Sequence, residues 1–224
     1  MKKVISLFSA MSMALFFVAC GGGATTEESS SEEATTTEET TEEAGPSGSY
    51  TLSTDESMLA WEGSMLKIGG VSLYGHNGTV ALEKGMMTME DGKIVDGTFV
   101  VNMTTITPTD EAYDEDNTPD KLVGHLSSPD FFAVDSFPTA TFVVTGMEGD
   151  KIMGDMTIRG VTNPETIEGV SMDVMDGMVK AKGSMTIDRQ KYGVAFSMGP
   201  GEKILSDDLG FEFTIVASAD EAAM

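Results

Sequence analysis

The sequence is poor in the residues on which most catalytic, metal and nucleic-acid sites depend. Its 224 residues include one cysteine, two histidines, and 13 lysines and arginines against 37 aspartates and glutamates. A single cysteine excludes an intramolecular disulfide and leaves no second thiol for a zinc site. A formal net charge of −24 argues against binding nucleic acid or anionic lipid surfaces. The acidity therefore favours a role in solubility, with an acidic recognition patch as the alternative.

The apolar run at the N-terminus indicates export. Lys2 and Lys3 precede the run Val4–Ala19, which is too short for a membrane span and typical of a secretory signal peptide. The residues before Cys20 resemble a bacterial lipobox, so we predict a signal peptide over 1–19 and a Cys20 that carries acyl chains such as palmitate. An ordinary secreted protein with an incidental cysteine is the alternative.

A lipidated Cys20 would anchor the protein to a membrane of the bacterial cell envelope. No aspartate follows Cys20 directly, which favours the outer membrane and places the domain in the periplasm or at the cell surface. Residues 20–49 are rich in Glu, Thr and Ser and contain no lysine, arginine or aromatic residue. Such a segment buries too little apolar surface to fold, so we predict a disordered acidic tether.

Residues 50–218 predict one all-β domain, followed by a disordered tail over 219–224. Apolar and polar residues alternate with period two around Phe99, Phe142 and Phe211, and turn-forming Gly and Asp clusters separate the runs. This pattern is typical of an antiparallel sheet with one wet face. We count about eight strands and one short helix near Pro119–Leu126. A closed barrel and an open sandwich fit the periodicity equally well.

Three sequence runs carry a family resemblance. They are KLVGHLSSPDFFAVDSFPTATF (121–142), GDMTIRGVT (154–162) and SMTIDRQKYGV (184–194). In this order they resemble the YceI-like family of bacterial envelope proteins, and the resemblance spans about Tyr50 to Ser218. It implies a closed, lipocalin-like antiparallel barrel around an elongated apolar cavity, with a polyisoprenoid as the usual ligand. It also implies that the Asp188-Arg189 step forms a buried ion pair between strands.

The resemblance implies a non-catalytic lipid-binding protein without a cofactor. We predict that the barrel binds a polyisoprenoid or an isoprenoid quinone for sequestration or transport. The same positions fit a solid core, which would make the chain an interaction module for a protein or glycan; its oligomeric state stays open. The predicted lining consists of apolar residues on the inward phase of the strands: Trp61, Met65, Phe99, Val101, Met103, Phe142, Val144, Met156, Ile158, Met172, Met185, Phe211 and Phe213.

Three side chains are candidates for a polar rim of the cavity: His76, His125 and Arg159. His76 is expected in or beside a loop near the barrel mouth, whereas His125 could instead cap backbone groups or orient Asp130. Arg159 equally fits a surface salt bridge. An enzyme that uses one of the histidines as a base would need a nearby carboxylate, and the sequence spacing offers no such pair.

No metal site is predicted. The Asp-rich segment 110–120 fails as an EF-hand, because Pro119 stands where the invariant glycine belongs and His125 where the bidentate glutamate belongs. A looser calcium site in that segment stays open. Met172, Met175 and Met178 are evenly spaced, but on a strand Met172 and Met175 point to opposite faces, which argues against a copper site.

Overall fold

The computed structural model describes residues 45–67, 71–198 and 203–220. The predicted signal peptide, Cys20, most of the predicted tether and residues 221–224 lie outside the described residues. Over these ranges, no helix has the length and apolar character that a membrane crossing requires. The elements are β1 (Gly48–Leu52), β2 (Met58–Lys67), β3 (Val71–Glu90), β4 (Lys93–Pro108), α1 (Pro119–Ser127), β5 (Thr139–Glu148), β6 (Lys151–Ile158), β7 (Val161–Met175), β8 (Met178–Asp188), a 3₁₀ turn (Arg189–Tyr192) and β9 (Lys203–Ala219).

The strands close into an antiparallel barrel. Each strand from β3 to β8 pairs with the next along the chain, and β2 pairs with both β3 and β9. β1 also pairs with β3 and β9, further along both strands than β2 does. β1 and β2 therefore share one position in an eight-position ring. The prediction of a closed barrel with about eight strands and one short helix is confirmed, and the open sandwich is wrong.

The ordered fold extends past both predicted domain boundaries. Pro46 accepts a backbone hydrogen bond from the Gly92 N–H (3.0 Å), and Ser49 accepts one from the Asp220 N–H (2.9 Å). The Thr51 hydroxyl also donates to the Asp220 carboxylate (2.6 Å). Residues 45–49 and 219–220, which the sequence predicted as tether and tail, thus belong to the barrel.

The single α-helix of the described ranges lies at one end of the barrel, which we call the helix end. α1 begins after Thr118, whose side chain accepts a hydrogen bond from the Lys121 N–H, and Pro119 occupies its first turn. Both residues suit a helix start, because Thr satisfies a free backbone N–H and Pro has none to satisfy. Leu126 on this helix is buried. The opposite end carries the tight turns after Glu90, Glu148 and Met175, and we call it the hairpin end.

The barrel is solid toward the hairpin end. Buried side chains from six strands meet there, and the rings of Phe99 and Phe213 lie against glycines of the neighbouring strands. A Cβ atom at Gly85 would lie 2.7 Å from the Phe99 ring, and one at Gly183 would lie 2.9 Å from the Phe213 ring. Only glycine allows rings to lie this close to the wall. The buried side chains of this half include Met87, Met89, Ile94, Val144, Ile152, Val179, Ala181, Ile215 and Ala217.

Candidate functional site: an apolar cavity with a polar mouth

A cavity of about 370 Å³ occupies the helix half of the barrel. Strands β2–β6, β8 and β9, helix α1 and the segments around Phe131 and Phe196 all contribute to its wall. The wall is mostly apolar. The volume of the cavity falls in the range of roughly 300–1,000 Å³ that is typical of small-molecule sites. The barrel can therefore accept an apolar guest in one half while the other half holds the fold together.

The structure places most of the predicted lining residues at this cavity. The wall includes Trp61, Met65, Val101, Met103, Met156, Ile158, Met185 and Phe211. The other predicted residues, Phe99, Phe142, Val144, Met172 and Phe213, lie in or against the packed core outside the cavity wall. Strand periodicity indicates which face a side chain is on, but it does not indicate how far along the barrel axis that side chain lies.

Several wall residues escaped the sequence analysis because they lie on α1 or on irregular segments without strand periodicity. Leu122 comes from α1, Phe131 and Phe132 follow that helix, and Phe196 follows the 3₁₀ turn. A partial signal existed, because Phe131 and Phe132 stand inside the first of the three signature runs. Their contribution means that the helix end is covered by aromatic side chains.

His125 belongs to this aromatic cover. Its ring packs edge-on against Phe131 (centroids 4.9 Å apart) and Phe196 (4.5 Å), and it lines the cavity. The carbonyl of His125, rather than its ring, takes part in capping, because it accepts hydrogen bonds from the Ser128 N–H and hydroxyl. His125 thus acts chiefly as an aromatic wall residue.

Arg159 lies outside the cavity wall and stabilises the segments that carry Phe131 and Phe196. It stands in the turn between β6 and β7 with a positive φ of 52°. Its Nη1 atom donates to the carbonyl of Phe131 and to that of Gly193 (3.0 Å). These contacts replace the salt bridge considered from the sequence, and they tie two loop segments to the barrel.

The buried arginine of the Asp188-Arg189 step performs a similar structural task. Arg189 is 3% exposed and donates from Nε to the Ser206 carbonyl (2.9 Å) and from Nη1 to the Val194 carbonyl (2.5 Å). Its ion-pair partner is Asp207 of β9 (2.8 Å). Asp188 instead caps the 3₁₀ turn by accepting from the Gln190 N–H. The expected buried ion pair thus involves a different aspartate, whose side chain is half exposed.

A polar cluster stands at the edge of the cavity wall that carries His76, and we call this edge the mouth. His76 lies on β3 and lines the cavity, and its Nδ1 atom is 3.1 Å from the Asp110 carboxylate. Asp110 also accepts hydrogen bonds from the Tyr113 hydroxyl (3.0 Å) and from the N–H groups of Asn77 (3.1 Å) and Ala112 (3.0 Å). The Tyr113 ring stacks on the His76 ring, with centroids 5.0 Å apart and planes 18° apart. The sequence spacing had offered no histidine–carboxylate pair, and the structure supplies one.

The hydrogen bonds set the charge of this cluster. Burial alone would raise the pKa of Asp110, but the bonds from Ala112, His76, Asn77 and Tyr113 favour the charged form, and the pKa lies below its ordinary 3.8. Burial, together with the nearby Asp110 charge, raises the pKa of Tyr113 to about 12. At neutral pH, Asp110 is therefore a carboxylate that accepts hydrogen bonds and Tyr113 is a neutral donor. A carboxylate with a lowered pKa orients its neighbours and is poorly suited to act as a base.

We expect Asp110→Asn to reduce stability at neutral pH by more than it does in acid. Because the pKa of Asp110 is lower in the folded chain, its contribution to stability is present above 3.8 and is lost as the pH falls through the folded value. Urea denaturation of both proteins across that range measures the difference. Asp135→Asn, at an exposed position, is the control for losing one surface charge. A wild-type advantage that stays constant down to acid pH would contradict this prediction.

The carboxylate of Asp114 accepts hydrogen bonds from within the segment 110–120. Asp114 accepts from the N–H groups of Asp116 (2.8 Å) and Asn117 (2.7 Å). Within the described ranges, no three His, Asp or Glu side chains come together in a way that could hold a metal ion.

A comparison with protein-family models shows to which family this chain belongs. Residues 50–217 match the model of the YceI-like domain. The chain belongs to this family. The matched span agrees with the span from about Tyr50 to Ser218 over which the sequence resembles the family.

The chain is also similar to a relative in sequence and to solved structures in fold. The UPF0312 protein of Staphylococcus aureus strain USA300 is 40% identical over 106 residues, which cover 43% of this YceI-like chain and 61% of the relative. The chain thus spans less than two thirds of that relative. The crystal structure of BcnA from Burkholderia cenocepacia shares the fold, with a TM-score of 0.53, 18% identity and coverage of 75% of this chain and 99% of that one. A polyisoprenoid-binding domain from Saccharophagus degradans, implicated in plant cell wall breakdown, gives a TM-score of 0.48 at 11% identity and covers 76% of this chain and 98% of that chain, a likeness too loose to add to the fold assignment.

Proposed function

We propose that this YceI-like chain binds one long apolar lipid, a polyisoprenoid or an isoprenoid quinone, and sequesters or transports it. The observation that carries this proposal is the apolar cavity of about 370 Å³ with polar groups gathered at its mouth. An amphiphile fits such a site with its tail inside and its head at the mouth. The cavity also favours lipid binding over the interaction module, which required a filled core.

The energetics favour a flexible hydrocarbon guest. Each CH₂ group that leaves water for the cavity gains roughly 0.8 kcal/mol. Met65, Met103, Met156, Met185 and Met198 line the wall, and methionine side chains re-pack easily around an irregular guest. A long chain can therefore be accommodated by rearranging the wall, without opening the barrel.

The N-terminal segment supports a place for this activity in the cell. A lipidated Cys20, followed by an acidic tether, would hold the barrel beside a membrane of the bacterial envelope, with the outer membrane favoured. A tethered barrel next to a bilayer would collect its lipid from that bilayer.

The first test is mass spectrometry of an organic extract. We would purify the full-length protein from its native host, carrying Cys20→Ser so that no acyl chain of its own is present. A stoichiometric isoprenoid in the extract is the expected result. A lipid-free protein that also ignores added quinones and polyprenols would overturn the proposal and favour a surface-binding role.

Ala140→Phe is expected to remove most of the bound lipid. Ala140 is buried and lines the cavity, so a phenyl ring there fills space that the guest needs. Thr139→Phe is the matched control, because Thr139 is the preceding, exposed residue of β5 and successive side chains of a strand point to opposite faces. The lipid-to-protein ratio of both extracts measures the effect. Equal lipid content in two folded variants would show that the lipid binds elsewhere.

A further inference from the structure

The hydrogen bonds of the polar mouth determine which chemical groups of a ligand can bind there. His76 lies on β3 opposite Gly63 of β2, and both residues line the cavity. Because glycine has no side chain, no group on the paired residue covers the histidine ring. His76 is therefore accessible from the cavity beside the wall residue Trp61.

One nitrogen of the His76 ring is already occupied. Asp110 receives four hydrogen bonds, and its lowered pKa keeps it ionised at neutral pH. An ionised carboxylate only accepts hydrogen bonds, so Nδ1 must carry the proton that it shares with Asp110. In the neutral imidazole, the other nitrogen, Nε2, then has a free lone pair and is an acceptor.

The ring is also held in place. Tyr113 stacks on one of its faces, and neither Tyr113 nor Asp110 belongs to the cavity wall. These two residues thus support the ring from outside the cavity. From the cavity side the ring of Tyr74 approaches it edge-on, with centroids 6.3 Å apart, and we infer that the Nε2 edge faces the guest. No described residue contributes a hydrogen bond to Nε2.

We propose that His76 is the head-group site of this cavity, where its Nε2 atom accepts a hydrogen bond from a neutral hydroxyl on the bound lipid. The preferred guests are prenyl alcohols and hydroquinones, which carry a donor. Quinones and ethers offer only acceptors. This inference rests on the proposed lipid-binding function and narrows its ligand class.

The charges at the mouth support a neutral head. The Asp110 carboxylate lies 3.1 Å from the Nδ1 atom of His76 and carries a full negative charge at neutral pH. A phosphate head on His76 would come close to this negative charge, and like charges at short range repel. A hydroxyl avoids this repulsion and still donates to Nε2.

The test compares two probes that differ by one hydrogen-bond donor: geranylgeraniol and its methyl ether. Trp61 is the only tryptophan in the chain and lines the cavity, so its fluorescence reports binding to the full-length Cys20→Ser protein. We expect the alcohol to bind about 3- to 10-fold more tightly than the ether, as one net hydrogen bond predicts. In His76→Phe, which keeps a ring for Tyr113 to stack on, the two affinities should become equal while that of the ether changes little.

The outcomes separate this inference from the proposed function. Equal affinities in the wild-type protein, or a preference that survives in His76→Phe, would overturn the head-group site and leave the lipid cavity intact. Failure of both probes to bind the wild type would overturn both proposals. If His76→Phe does not fold, Asp110→Asn serves instead, because it releases the constraint on Nδ1 and should weaken the preference for the alcohol.

Discussion

Replacing Arg189 with methionine is expected to lower the free energy of unfolding by about 3–5 kcal/mol. The guanidinium is almost fully buried and bonds the carbonyls of Ser206 and Val194. Methionine fills a similar volume but donates no hydrogen bond, so both carbonyls lose their partner. Each buried polar group left unsatisfied costs roughly 1–3 kcal/mol. Urea denaturation, with the slope checked for two-state behaviour, measures the loss.

The matched control for Arg189 is its ion-pair partner. Asp207 has a side chain that is 51% exposed, and in its absence Arg189 keeps its hydrogen bonds to both carbonyls. Asp207→Ala should therefore cost less stability than Arg189→Met. A large loss in Asp207→Ala together with a small one in Arg189→Met would contradict the assignment. It would mean that the ion pair, rather than the carbonyl bonds, stabilises this region.

Phe142→Ala is expected to cost about 3–5 kcal/mol, which is typical of an aromatic ring removed from a packed core. Phe142 is buried outside the cavity wall, and its ring lies over Gly154 of β6. No side chain of Gly154 can fill the space that the ring would leave. Denaturation curves give the loss, and lipid content should change little in the variant that remains folded.

Phe211→Ala is the comparison for Phe142→Ala. Phe211 is only partly buried and lines the existing cavity, so its removal enlarges that cavity and opens no new one in the packed core. We expect a smaller loss of stability and a larger change in lipid binding. If both variants lose stability equally and neither alters lipid content, the separation of the barrel into a solid half and a hollow half is wrong.

The barrel was predictable because its signals are local. Alternation around Phe99, Phe142 and Phe211 depends only on the pleat of a strand, and Thr118-Pro119 marks a helix start by its own chemistry. The height of a side chain along the barrel depends on register and on bulges, such as the shift between Leu82 and Lys84. These features depend on how paired strands align, which a single strand's sequence does not indicate. Phe99 and Phe142 were therefore assigned to the cavity although they lie outside its wall.

The mouth was harder to predict than the wall. Asp110 stands 34 positions from His76, and closure of the barrel between β3 and β4 brings the two together. Tyr113 joins them through the segment that follows β4. No sequence spacing marks such a cluster, because His76 comes from β3 whereas Asp110 and Tyr113 come from the segment after β4.

The solid hairpin half has a consequence for how this lineage changes over time. Most of the burial that keeps the chain folded lies away from the cavity, so substitutions in the wall face weak selection for stability. Variants at the wall can then alter the guest without first needing a compensating mutation. Under the proposed function, a barrel built on this plan can change its ligand while its architecture stays the same.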